Sequence, residues 1–364
     1  MRTVDALAGI VFLAAATPLA EWRRIEPGLS IELPKDHGSH PGFRTEWWYV
    51  TGHLADEAGR EFGFQFTIFR NGLDPEPAAP GASPLRARQV FAGHLAVTDV
   101  ASGRTLFAER LRRAAAGLAG ADEDRLSAFV ENWSIEGTSD ERQAFRVVAA
   151  DPAAGISLAL ALEPRKEAVL HGDGGYSRKG DEDGNASAYV SFTRLEATGT
   201  LSVPGSAPRA VRGEAWFDHE WGTTQLGAGI VGWDWFSLQL GDGRELMLYV
   251  LRREDGSPAA VSAGTLVRAD GSTRRLARED FAIERTAEWT SPRSRASYPA
   301  GWRVRVPSES LEFDVAPAVP DCEIDSKGST GVVYWEGPVR VTGGAGGRGY
   351  AELTGYAGSL GGRF

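Results

Sequence analysis

The chain has 364 residues, longer than one ordinary core holds and suited to two domains. With 39 Lys plus Arg against 49 Asp plus Glu, the formal net charge is −10, which argues against nucleic-acid partners. Hydrophobic residues at 42% and charged residues at 24% exclude a disordered tail.

At the N-terminus, Arg2 precedes an apolar run from Ala6 to Ala16, of signal-peptide length and too short to cross a bilayer. Residues 1–20 are therefore predicted to be an export signal, and the mature protein periplasmic or secreted. No later segment reaches transmembrane length. From residue 28 onward, Gly-bounded segments with period-2 alternation read as short antiparallel strands, since 45 Gly supply the turns that hairpins need. Trp48 opens two alternating strands about a Gly59-Arg60-Glu61 turn, and Trp133 precedes FRVVAADPAAGISLALALEP. The strand GEAWFDHEWG, from Gly213, closes this first part. Its insertions are a Pro-rich loop from Gly72 to Arg86, a short helix expected around Ala108–Leu118, and a Gly/Asp-rich loop, Gly172–Ala188.

The same blocks then return in the same order. Trp235 opens two strands about Gly243-Arg244-Glu245, Trp289 precedes WRVRVPSESLEFDVAPAVPD, and GYAELTGYAG, from Gly349, comes last. The repeat predicts two antiparallel domains, 28–226 and 227–364, each a barrel, because closure removes exposed edge strands. An eight-stranded barrel can hold one small ligand inside.

Six of the 11 Trp fall in three segments, His40 to Leu54, Glu214 to Gly222 and Gly232 to Leu240. Alternation places Trp216, Asp218 and Glu220 on one strand face and Phe217, His219 and Trp221 on the other. A carboxylate among large apolar rings is desolvated and becomes a general acid near neutral pH. A carboxylate here could equally pair with Arg44 or cap a barrel end. The candidate catalytic groups are Asp218, Glu46 and Glu220. The candidate substrate contacts are Trp47, Trp48, Tyr49, His94, Tyr189 and Trp216, with His219, Trp221, Trp233, Asp234 and Trp235. The motifs GxSxG, HExxH, CxxC and the P-loop are absent, so no cofactor is expected. GAGGRG, from Gly344, reads as a hairpin turn, and Asp181-Glu182-Asp183-Gly184 as a solvated loop. His40, His53, His94 and His219 could meet Glu46 or Glu220 on a metal, but no segment has ligand spacing and no metal is expected. Cys322 is alone, so no intrachain disulfide forms.

FRTEWWYVTGHL, AWFDHEWG and GWDWFSLQL, with FAGHLAVTD, YVSFTRL, YWEGPVRV and GYAELTGY, resemble the AttH-like predicted secreted hydrolases related to carotenoid 1,2-hydratases. The resemblance covers the mature chain. It implies an all-β fold of two tandem lipocalin-like (calycin) barrels packed on each other, and a relation to enzymes acting on apolar polyenes. It places Asp218 where the hydratases keep their proton donor. Trp216 stands where they have an aromatic hydroxyl, and Tyr189 and Ser191 stand near their His and Trp. The expected function is acid-catalysed addition of water to, or isomerisation or cyclisation of, a carbon–carbon double bond in a bulky isoprenoid, carotenoid or lipid-like substrate. The competing expectation is a non-catalytic lipocalin-type carrier of a hydrophobic ligand in the cell envelope.

Overall fold

The computed structural model describes residues 21–75, 83, 85–138, 143–224 and 226–361. The expected export signal, 1–20, and part of the loop between Gly72 and Arg86 lie outside the described residues. Among the described residues the only helical pieces are the 3-10 turns Lys35–His37, Arg278–Asp280 and Pro307–Glu309.

Strands Thr45–Asp56, Glu61–Gly72, Gln89–Asp99 and Arg104–Arg113 form an antiparallel meander, each paired with the next. The chain then builds Trp133–Gly137, Phe145–Asp151 and Ile156–Pro164 outward from Ala186–Ser202. The last long strand, Arg209–Gly222, lies between Ala186–Ser202 and the opening strand Thr45–Asp56. This sheet curls almost into a closed barrel around an apolar core that includes Trp48, Phe62, Phe64, Trp133 and Phe217.

The second sheet repeats that order with fewer strands. Ile230–Leu240, Glu245–Arg253, Ala263–Val267 and Thr273–Leu276 form its meander. Ala282–Thr290, Ser297–Val306, Leu311–Pro317 and Val333–Thr342 follow, and Gly347–Leu353 returns beside Ile230–Leu240. It stays a half-barrel over its own core around Phe236, Trp302 and Trp335. The all-β, two-part lipocalin-like fold is thus present. The GAGGRG stretch begins in the hairpin turn between Val333–Thr342 and Gly347–Leu353, and its last three residues open the second of these strands.

The two expected Gly-Arg-Glu turns match, with Gly59 at φ +78° and Gly243 at φ +82°, where a Cβ is strained. Leu54 pairs with Gly213 in one sheet and Leu238 pairs with Gly349 in the other, so the closing strands also correspond. Aligning Trp48 with Trp235 is corrected: counted from the matched turns the two tryptophans differ by three positions. An odd offset flips the face, so Trp48 enters the barrel core while Trp235 faces outward. The helix expected around Ala108–Leu118 is also absent. Arg104–Arg113 is a strand paired along its length with Gln89–Asp99, and that pairing overrides the helix propensity of Ala, Glu, Leu and Arg.

The outer face of the first sheet packs on the second through Tyr49, Tyr189, Trp216, Trp235, Tyr249 and Tyr350. At the Gly243 turn, the buried Glu245 receives Lys166 Nζ at 2.7 Å and Arg194 Nε at 2.6 Å from the first sheet. His53 Nε2 lies 2.7 Å from the Gly349 carbonyl oxygen.

Candidate active site

Between the facing sheets lies a cavity of about 400 Å³, within the range of small-molecule sites. The barrel interior, expected to hold a ligand, is instead filled by the apolar core. Trp47, Tyr49, His94, Tyr189, Asp218 and Glu220 contribute to the wall from the first sheet. Trp233, Trp235, Tyr334, Glu336 and Glu352 do so from the second. The cavity therefore exists because odd-numbered residues of Thr45–Asp56 and even-numbered residues near the end of Arg209–Gly222 leave the barrel on its second-sheet side.

Asp218 is buried in this wall and held from three sides. Tyr189 donates its hydroxyl at 2.7 Å, Trp216 donates its indole N–H at 2.6 Å, and the Ser191 hydroxyl donates in a short contact. Burial pushes the Asp218 carboxyl up; these hydrogen bonds pull it back only partly, and nearby Glu220 adds repulsion, leaving it at about 7. Behind Ser191, His171 Nε2 sits 2.7 Å from the serine oxygen and its Nδ1 2.8 Å from Thr265. Burial lowers the His171 ring to about 3, so it is neutral there. Trp235 donates to the Tyr189 oxygen at 3.0 Å, tying both sheets to the acid.

Four further ionisable groups share this wall with Asp218. Glu220 pairs with Lys179 at 3.1 Å, and that ammonium lies 4.9 Å and 4.2 Å from the ring centroids of Tyr189 and Tyr249. Burial works against the Lys179 charge, but Glu220 outweighs it and raises its pKa. From the second sheet, burial drives Glu352 up to about 7, with the Trp233 hydrogen bond opposing and Glu220 and Asp218 reinforcing. Glu336 is raised well above the carboxylate range by burial and by Glu352, and it accepts the Tyr49 hydroxyl at 2.5 Å. The wall thus presents protonatable carboxyls from both sheets beside aromatic faces that can stabilise a cation.

The opposite face of the same strands carries a second cluster. Glu46 accepts from Arg70 Nε at 2.7 Å and from Ser39 at 2.9 Å, and it lies 2.8 Å from His40 Nδ1 and 3.0 Å from His219 Nε2. Burial alone raises a carboxyl, yet the His219 and His40 hydrogen bonds and the Arg70 charge hold Glu46 well below the usual range. His40, Glu46 and His219 have the donor atoms of a metal site within 4.8 Å. The Arg70 guanidinium on the same carboxylate opposes a cation there.

Measured against this geometry, Trp47, Tyr49, His94, Tyr189, Asp218, Glu220, Trp233 and Trp235 come together on the cavity. Trp216 packs behind Asp218. Trp48 is in the barrel core with its indole N–H on the His37 carbonyl, so it is no substrate contact. His219 stacks on Trp48, and Trp221 stacks on His40 at 3.8 Å, both away from the cavity. Asp234 is paired with Arg252 at 2.9 Å and accepts the Tyr356 hydroxyl. Glu46 touches the rim, but its carboxylate is committed to Arg70, which replaces the Arg44 expected as partner, and so it is no proton donor. Of the four histidines, His40 and His219 meet on Glu46, whereas His53 reaches Gly349 and His94 reaches Tyr334 and Ser329. Sequence reasoning missed Glu336, Glu352, Lys179 and Tyr249. Glu352 stands where Trp216 stands in the matching last strand, so carrying the repeat through to side chains was the signal that could have found it.

The AttH-like family model matches residues 24–356. An AttH protein of known structure from Nitrosomonas europaea is 34% identical, covers 92% of this chain and 99% of its own, and superposes with a TM-score of 0.82. Kievitone hydratase from Nectria haematococca is similar in fold at 13% identity, covering 93% of this chain and 97% of its own with a TM-score of 0.68. A structure of CghA with Sch210972 shares 14% identity over 86% of this chain and 89% of its own, with a TM-score of 0.50. A comparison with curated protein sequences returns no match. By the extent of the family match and of its likeness to the Nitrosomonas protein, the chain belongs to the AttH-like family.

Proposed function

We propose that this protein is a hydratase-like enzyme that protonates a carbon–carbon double bond of a bulky apolar substrate held between its two sheets. Asp218 is the proton donor. The observation that carries the reading is its carboxyl at about 7, half protonated near neutral pH, on the wall of an aromatic cavity. Trp47, Trp233 and Trp235 line the space in which positive charge develops, each ring worth up to ~2 kcal/mol to a desolvated cation. Water then captures the cation, and a cavity carboxyl takes the proton that water loses. Fold likeness to kievitone hydratase supports the same class of chemistry. The apolar run after Arg2 supports a periplasmic or secreted place of action.

The test is turnover of an isoprenoid and polyene panel in ¹⁸O-water, followed by mass spectrometry. Hydration predicts a product carrying ¹⁸O. Asp218→Asn should lower turnover by roughly 10²–10⁴-fold while ligand quenching of tryptophan fluorescence persists. Normal turnover in that variant removes Asp218 from the mechanism. Quenching with no turnover in the wild type makes the protein a carrier.

A further inference from the structure

The cavity wall is mostly apolar, through residues such as Trp47, Phe69, Trp233, Leu251 and Val332, and among the described residues it holds two cations. Arg70 is wholly buried, with Nε on Glu46 and Nη2 on the carbonyls of His40 and Phe43. The Lys179 side chain instead keeps 10% of its surface open, and Glu220 at 3.1 Å is its carboxylate partner.

The chain fixes Lys179 on both sides. Its backbone N–H donates to the Asn185 carbonyl at 2.8 Å, and its own carbonyl accepts from the Gly227 N–H at 3.3 Å. An ammonium has three N–H donors. Glu220 takes one, while Tyr189 and Tyr249 offer only ring faces, with centroids at 4.9 Å and 4.2 Å. Among the described residues no further oxygen accepts from Nζ, so a donor remains for a ligand in the cavity.

The surrounding charges select what that donor can take. A ligand cation meets the ammonium itself. A ligand carboxylate meets Glu220, already on the ammonium, and the Asp218 and Glu352 carboxyls of the same wall. An uncharged oxygen avoids both repulsions and gains a charge-assisted hydrogen bond. We propose that Lys179 is a specificity-determining residue of the cavity, and that the ligand is an apolar chain carrying an uncharged oxygen function, a carbonyl or hydroxyl, at one end. The inference rests on the cavity being the substrate site and does not require proton transfer by Asp218.

The strand sets how far that oxygen lies from the acid. Asp218 and Glu220 are two residues apart on one face of Arg209–Gly222, roughly 7 Å along the strand. Tyr189 spans the same gap, its ring against the ammonium and its hydroxyl donating to Asp218 at 2.7 Å. A ligand anchored at Lys179 therefore presents to Asp218 a double bond one short spacer from its oxygen, rather than one in its distant tail.

The test uses three matched ligands. Farnesylacetone has a ketone one short spacer from its nearest double bond, farnesylacetic acid is its carboxylate counterpart at neutral pH, and the third is the hydrocarbon with CH₂ in place of the ketone C=O. Binding to the whole protein is read by equilibrium dialysis with mass spectrometry, so no turnover is needed. The ketone should bind roughly 10-fold or more tighter than the hydrocarbon, and tighter than the acid. Lys179→Met should bring ketone and hydrocarbon to equal affinity, and so should Lys179→Met combined with Glu220→Gln, which leaves no buried carboxylate without its cation. Equal affinity in the wild type, tightest binding of the acid, or a ketone preference that survives the double substitution each overturns Lys179 as the selector. Binding of none of the three overturns the cavity as the substrate site as well. A Lys179-dependent ketone preference without turnover upholds the inference and counts against the hydratase reading alone.

Discussion

Asp218 and His219 are neighbours on one strand, yet the carboxyl clusters on their two sides behave oppositely. On the barrel side, Glu46 is equally buried but meets a guanidinium and two imidazoles, and it is held ionised. On the cavity side, Asp218 meets neutral hydroxyl and indole donors and a second carboxylate, and its pKa is raised to about 7. Burial is common to both. What differs is whether the groups that touch the carboxyl directly bring positive charge, so depth alone does not mark an acid catalyst.

Removing that positive charge should have the largest effect. Arg70→Met leaves Glu46 buried without its cation and is expected to destabilise the protein by about 3–5 kcal/mol in urea denaturation. A loss below ~1 kcal/mol would mean the histidines alone suffice. The stabilisation from Glu46 has a defined sign: its folded pKa is depressed, so it is present above the ordinary carboxylate range and lost as pH falls through the folded value.

The cavity side should show the opposite slope. The folded Asp218 keeps its proton up to about 7, while the unfolded side chain loses it near 3.9, so stability is full below that lower value and declines as pH rises to about 7. At about 1.4 kcal/mol per pH unit the decline is roughly 4 kcal/mol at most. Asp218→Asn should therefore gain on wild type between pH 5 and pH 8, by roughly 1–4 kcal/mol in denaturant midpoints converted with a common slope. A difference that does not change with pH contradicts the raised acid. The smallest effect belongs to Tyr49→Phe. It deletes one neutral hydrogen bond to Glu336 and should cost about 1 kcal/mol. A loss above about 3 kcal/mol, measured the same way, would indicate that Glu336 is ionised.

The strands, the matched turns and the placement of Asp218 opposite His219 were legible because alternation and glycine are local signals. The pairing of Glu46 was not: Arg70 lies on the neighbouring strand at the register position opposite it, and register is set by the whole sheet. Lys179 was hidden for a similar reason. It sits in a loop read as an insertion, and only the pairing of Tyr176–Arg178 with Ala186–Ser202 carries it to Glu220. The cavity itself was misplaced, since no local pattern says whether a barrel interior is filled or empty. The tryptophan alignment failed because an anchor residue was trusted over the turn, and three positions reverse a face.

The position of the cavity at the seam of two separately cored sheets has a consequence for how such proteins diversify. Its wall residues are drawn from the outer faces, while the cores around Phe64 and Trp302 lie elsewhere. Exchanges such as Trp233 or Val332 for smaller or larger side chains reshape the chamber with little of the stability threshold consumed. Relatives can therefore drift in what they accept while both scaffolds persist, which makes the seam a natural target for directed evolution toward new apolar molecules.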